Sequence, residues 1–119
     1  MAKVVLVIDD EPTNRRYLQA ALESLGYAVV CRADASDAVH ELTTLSPDIV
    51  LLDWRMPGLG GAEAVRAFKS ATDAPVVVCS AFADSTNKAR IRESGCDDFL
   101  TKPVGVDQLE VALAGWLEG

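Results

Sequence analysis

Five short apolar runs alternate with amphipathic segments along this chain, and that alternation limits the available folds more than any other feature. The runs cover residues 4–9, 28–32, 48–53, 75–80 and 98–101. They are rich in Val and Ile and have the length of strands. Between them, apolar residues recur at helical spacing: Leu18, Ala21, Leu22 and Leu25; then Ala35, Ala38, Val39 and Leu42; and last Leu109, Ala112, Leu113, Trp116 and Leu117. Gly26 and Gly95 follow helical runs and suit the left-handed position past a helix end. Asp34 and Asp84 precede helical runs and suit the N-cap. Strict strand–helix alternation implies an α/β fold, a parallel sheet with helices on both faces. A chain of 119 residues, 50% of them apolar, has the size and hydrocarbon for one domain, residues 1–119.

Strand composition also orders the sheet. Runs one, three and four are almost wholly apolar, as central strands covered on both faces should be. Run two carries Arg32, and run five lies among Asp97, Asp98, Thr101 and Lys102, as edge strands can. The order 2-1-3-4-5 puts runs two and five at the edges, whereas 3-2-1-4-5 would expose the third run, "DIVLLD". One helical segment, 85–94, is mostly polar, with Ala89 and Ile91 as its main apolar points. Little core contact holds it, and it is expected to be the most mobile helix.

Two of the apolar runs stop on bare negative charge. The first ends in Asp9, Asp10 and Glu11, and the third ends in Asp53. In the order 2-1-3-4-5 those strands are neighbours, and the switch point where such sheets bind ligands falls between them. Ser80 ends the fourth strand and Lys102 follows the fifth, so both reach the same edge. At ~5 Å and an effective dielectric of ~20, one carboxylate pair costs roughly 3 kcal/mol. A raised pKa or a bound cation relieves it. Oxygen-only ligands favour a hard divalent ion, Mg²⁺ first and Mn²⁺ second; no His or Cys accompanies them to suit zinc. With Lys102 and Ser80 added, the site fits a phosphoryl group, and Asp53 can then be the nucleophile that forms an acyl phosphate.

The chain resembles, over its whole length, the receiver domain of two-component response regulators, with its flavodoxin-like doubly wound (βα)5 fold. The matching pieces are "VLVIDDEP", "DIVLLDWRMPG", "VVVCSA" and "GCDDFLTKP", four in order at the family's spacing. The resemblance implies that Asp53 is the phosphoacceptor, and that Asp10 and Asp53 ligate Mg²⁺ directly while Asp9 holds a metal-bound water. It makes the main-chain carbonyl of Arg55 a further ligand. Ser80, Lys102 and the Ala81 backbone N–H would contact the phosphoryl group, and Lys102–Pro103 would be a cis peptide. Ser80 and Phe99 would be the switch pair, acting on a surface of fourth helix, fifth strand and fifth helix. Such a domain catalyses its own phosphorylation and dephosphorylation rather than acting as a conventional enzyme. Its partners would be a histidine kinase or a histidine phosphotransfer protein upstream, and a downstream protein or a fused output domain.

Some positions depart from the family's habits. Phe99 stands where Tyr is frequent, Val104 where Phe is common, and Gly105 is a poorer N-cap than Ser or Asp, so a loose lead into the last helix is expected. The resemblance implies that Arg55 and Phe82 flank the path of a hydrolytic water, where they would slow phosphate loss. "DEPTNRR" resembles the first helix of receivers fused to hybrid kinases, which hints at a phosphorelay.

Other classes fit less well. A net charge of −7 with eleven scattered Lys and Arg residues argues against nucleic-acid binding by this domain. No apolar run approaches ~18 residues, so no membrane span is expected, and the N-terminus lacks a secretory signal. Cys31, Cys79 and Cys96 form no CxxC pair and read as small buried hydrophobes in a reducing cytoplasm. The single His40 reads as a surface helix residue. A flavin or nucleotide binder of the same architecture would need a Gly-rich phosphate loop where "DDEPT" stands. A small aspartyl-phosphate hydrolase would want a second Asp where Arg55 stands. A degenerate receiver, acting only as a phosphorylation-independent docking module, is the remaining alternative.

Overall fold

All five apolar runs form strands: β1 Val4–Ile8, β2 Ala28–Arg32, β3 Ile49–Asp53, β4 Val76–Ser80 and β5 Asp98–Thr101. The computed structural model describes residues 2–81 and 85–118. It joins the strands into one sheet in the order β2-β1-β3-β4-β5, every neighbour parallel. Composition anticipated that order for a physical reason. β3 and β4 are buried at every residue, while β2 and β5 are buried at none. Only the apolar runs could take positions covered on both faces.

Helices connect the strands: α1 Pro12–Ser24, α2 Ala35–His40, α3 Leu42–Leu45, α4 Gly61–Ala71, α5 Ser85–Glu93 and α6 Val106–Leu117. Strand side chains alternate between two cores. On one face Leu6, Ile8, Val50, Leu52, Val76 and Val78 pack against Ala38, Leu42, Val65, Phe68 and Ile91. On the other Val5, Val7, Ile49, Leu51 and Val77 pack against Leu18, Leu22, Leu109 and Leu113.

The helices depart from the sequence pattern in instructive places. The second apolar period runs unbroken from Ala35 to Leu42, yet the helix breaks at Glu41 into α2 and α3. The Glu41 carboxylate is paired there with Arg32 of β2, Nε to Oε2 2.8 Å. The helix α4 is not among the anticipated periods, although Ala64, Val65, Phe68 and Ala71 recur at helical spacing; Ala64, Val65 and Phe68 are its buried residues. The expected N-cap at Asp34 is present, its carboxylate accepting the Asp37 N–H at 3.0 Å, whereas Asp84 lies outside the described residues. Gly26 and Gly95 take left-handed backbone, φ 97° and 92°.

The lead into α6 is firmer than expected. Gly105 offers no side chain, but its N–H donates to Gln108 Oε1 at 2.9 Å, the reverse half of a capping box. The Tyr17 hydroxyl donates to the Val104 carbonyl at 2.6 Å, and Val104 itself is buried. At the far end, the Tyr27 hydroxyl donates to Glu118 Oε2 at 2.7 Å.

The cysteines divide. Cys79 is buried in β4, and burial pushes its thiol up to about 12. Cys31 and Cys96 are only half-buried; β2 is an edge strand, so Cys31 is not the core residue its apolar run suggested. His40 is exposed, as expected. Thiol labelling near neutral pH is therefore expected to modify Cys31 and Cys96 first and to reach Cys79 only in denaturant, a sequence that peptide mapping reads directly.

Two stability tests follow from the packing. Ile91 is fully buried, the apolar anchor of a helix with few others. Ile91→Ala is expected to cost about 2–4 kcal/mol in urea unfolding. Asp97, just before β5, accepts the Val76 N–H at 2.7 Å and the Lys69 ammonium at 2.8 Å, both on Oδ2. Burial pushes its carboxyl up, but the Lys69 and Val76 bonds outweigh that and hold it below the usual carboxylate range. A lowered pKa means the unfolded chain binds more protons in that window, so stability rises with pH there. The contribution is complete above about pH 4 and is lost as pH falls through the lower folded value. Asp97→Asn is expected to flatten that acid limb in urea titrations.

Candidate functional site

Parallel register brings the strand-end residues together. Ile8 pairs with Leu52, so Asp9 and Asp53 stand side by side at the carboxyl edge of the sheet. The backbone ladder continues past the strands: Asp9 N–H bonds Arg32 O at 3.1 Å, Trp54 N–H bonds Cys79 O at 2.9 Å, and Lys102 N–H bonds Ser80 O at 2.8 Å. Each bond aims a residue that the strand itself no longer constrains. As a result, carboxylate oxygens of Asp9, Asp10 and Asp53 lie within 4.8 Å of one another.

A cleft of about 340 Å³ opens over this edge, lined by Asp10, Asp53, Arg55, Ser80, Ala81 and Lys102 together with Glu11 and Asn14. Asp9 lies below it, 2% exposed. Asp10 is exposed, and Asp53 and Ser80 are buried. The Arg55 backbone N–H bonds the Asp53 carboxylate. Lys102–Pro103 is cis, as the resemblance implied. Phe99 is apart from the cleft. It pairs with Val78 and packs, half-buried, against the core under α2–α5. Phe82 lies outside the described residues.

The acid cluster is not bare. Lys102 Nζ lies 3.1 Å from Asp53 Oδ1 and 3.3 Å from Asp9 Oδ2, a bridge between the two buried carboxylates. Burial pushes the Asp53 carboxyl above its usual range; Lys102 pulls it back and Asp9 adds to the rise. Burial alone would lower the Lys102 ammonium, but Asp53 and Asp9 together hold it above its ordinary value. The mutual repulsion expected of three carboxylates is thus partly compensated from within. One ammonium against three carboxylates still leaves the site negative. The donors that converge are all hard oxygens, one of them exposed to solvent, and they suit Mg²⁺ or Mn²⁺.

Sequence reasoning missed two neighbours of Asp9. Asn14 Nδ2 donates to Asp9 Oδ2 at 3.2 Å, and Arg15 Nη1 donates to the Asp9 carbonyl at 2.7 Å. The signal was the helix start at Pro12, which puts the first turn of α1 directly back over the end of β1.

Comparison with known proteins agrees with this geometry. The family model for the response regulator receiver domain matches residues 5–114. The transcriptional regulatory protein KdpE of Mycobacterium tuberculosis is 37% identical over 105 residues, covering 88% of this chain and 46% of that protein. The phosphate regulon regulator PhoB of Pseudomonas aeruginosa is 33% identical over 116 residues, covering 95% and 51%. The chain spans about half the length of these curated relatives. Among solved structures, the receiver domain of the sensor histidine kinase PA1611 from P. aeruginosa is 29% identical with a TM-score of 0.91, all of both chains covered; its magnesium ion is coordinated in the active-site cleft. The Vibrio cholerae chemotaxis protein CheY4, at 24% identity and a TM-score of 0.84, shares the fold over 98% of this chain and 100% of that one. With its family model matched almost end to end and its acidic strand ends gathered at the sheet's switch point, the chain belongs to the receiver-domain family of two-component response regulators.

Proposed function

We propose that this domain takes a phosphoryl group from a phosphohistidine onto Asp53, in a Mg²⁺-dependent reaction, and passes the signal on through a change of surface. The observation that carries the reading is one cleft in which Asp53 meets Ser80, Ala81 and Lys102, with two more carboxylates within 4.8 Å. Asp53, at the end of β3, presents its carboxylate as the nucleophile. Its oxygen attacks phosphorus in line, the P–N bond of the phosphoimidazole breaks, and the imidazole leaves with the electron pair and takes up a proton. Lys102 turns from the carboxylates to a phosphoryl oxygen, the Ser80 hydroxyl donates to a second, and the Ala81 N–H to a third. Mg²⁺, held by Asp10, Asp53 and the Arg55 main-chain carbonyl, with Asp9 on a bound water, would offset the phosphoryl charge.

The donor is a histidine kinase or a histidine phosphotransfer protein in the cytoplasm. The readout follows from β4. Phosphoryl contact draws the Ser80 end of that strand inward, and Phe99 on neighbouring β5 turns in behind it. The altered surface is that of α5, β5 and α6, which faces a downstream protein or a fused output domain. Loss of the phosphate needs a water opposite the departing bond, and the long Arg55 side chain at the cleft mouth shields that approach.

Acetyl phosphate with Mg²⁺, followed by intact mass, is expected to show one added phosphate in the wild type and none in Asp53→Asn. No uptake by the wild type would favour a docking module that works without phosphorylation. Lys102→Met leaves two buried carboxylates without their ammonium. In chelator it is expected to cost about 2 kcal/mol of stability, less than a fully buried pair because Lys102 is partly exposed. Asp10→Asn, which removes an exposed charge from the same cluster, is expected to raise the chelator melting temperature and weaken Mg²⁺ binding.

A further inference from the structure

We infer that Asn14 and Arg15, in the first turn of α1, are positioning residues that hold Asp9 fixed while Lys102 moves between the carboxylates and a phosphoryl group. The inference rests on the phosphoacceptor reading above and extends it to two residues outside the acid cluster.

Asp9 is held at every polar atom. Its N–H bonds Arg32 O, its carbonyl accepts Arg15 Nη1 at 2.7 Å, and Oδ1 accepts the Glu11 N–H at 2.9 Å. Oδ2 is shared by Lys102 Nζ at 3.3 Å and Asn14 Nδ2 at 3.2 Å. A carboxylate can only accept, so the amide nitrogen of Asn14 is the atom that faces it. Of the two donors on Oδ2, Lys102 sits on a long, flexible stem and is committed to a second task. Once its ammonium turns to a phosphoryl oxygen, Asn14 is the side-chain donor that remains on Oδ2, and a carboxylate at 2% exposure has no bulk water to replace it.

The placement is not that of a solvated helix start. Glu11, at the N-cap of α1, makes no side-chain capping bond, and Asn14 three residues later reaches backwards off the helix to Asp9, just past the end of β1. Arg15 likewise spends its guanidinium on a backbone carbonyl. That contact sets the plane of the peptide joining Asp9 to Asp10, and with it the direction in which the exposed ligand leaves the strand. Partners of this outer kind orient metal ligands, and their loss commonly costs 10–100-fold in metal affinity.

Calorimetric Mg²⁺ titration of the whole chain, paired with melting in chelator, tests the clamp. Asn14→Leu is expected to weaken Mg²⁺ binding about tenfold with an unchanged chelator melting temperature, and Asn14→Gln to recover part of the loss. Arg15→Met is expected to weaken binding in the same direction. In a Lys102→Met background the Asn14→Leu step should cost more affinity than in the wild type, because Asn14 is then the side-chain donor left on Oδ2. Wild-type affinity in Asn14→Leu overturns the clamp, as does a loss that Gln fails to recover and a lowered melting temperature matches. A step no costlier in Lys102→Met overturns the sharing of Oδ2. If the wild type binds Mg²⁺ and responds to Asn14→Leu but Asp53 gains no phosphate, the clamp stands and the phosphoacceptor reading fails. If the wild type binds no Mg²⁺, both fail.

Discussion

The ion bridge from Lys102 to Asp53 and Asp9 is the interaction on which the carboxyl edge of this sheet depends. Its three members come from the ends of β5, β3 and β1, and the lysine reaches over β4 to make it. Two carboxylates that are nearly inaccessible to water need a counterion, because desolvation otherwise drives them neutral. A neutral Asp53 would be a poor nucleophile and a poor ligand. The Lys102 ammonium opposes the upward push of burial at Asp53 and bridges it to Asp9.

The two cores place the cleft and Phe99 on different parts of the sheet. The cleft sits on the strand ends, where backbone pairing has just ceased and side chains are free to converge. Phe99 sits within β5 and faces the α2–α5 core, half-covered. Ser80 of β4 pairs with Thr101 of β5, two residues beyond Phe99. The cleft and Phe99 are therefore joined by one ladder of backbone hydrogen bonds between β4 and β5.

Much of this was legible in the residues. The strand order followed from which runs could tolerate burial on both faces, and the convergence of Asp9, Asp10, Asp53, Ser80 and Lys102 followed from that order and the family resemblance. What stayed hidden shares a cause. The helix breaks at Glu41, whose carboxylate pairs with Arg32 on another element, and the period through Leu42 gives no sign of either. The Lys102 bridge and the Asn14 and Arg15 contacts are also side chains reaching between elements. Periodicity reports which face of a segment is apolar. It does not report where a long polar side chain on the other face will find its partner. Gly105 shows the converse: the residue itself predicted a weak cap, and Gln108 three positions on supplied the bond.

The bridge also sets an order of events in the making of the protein. Asp9 and Lys102 are 93 residues apart in the chain. Closing so long a loop costs little more entropy than closing one half its length, yet it cannot happen before both ends exist. A chain emerging from the ribosome presents Asp9, Asp10 and then Asp53 long before their ammonium. Throughout that interval β1 and β3 can pair only by bringing uncompensated charge to one edge. The acidic edge is thus completed last, when the fifth strand docks, and a chain cut short before Lys102 would hold most of the sheet's hydrocarbon without the counterion that makes its carboxyl edge tenable.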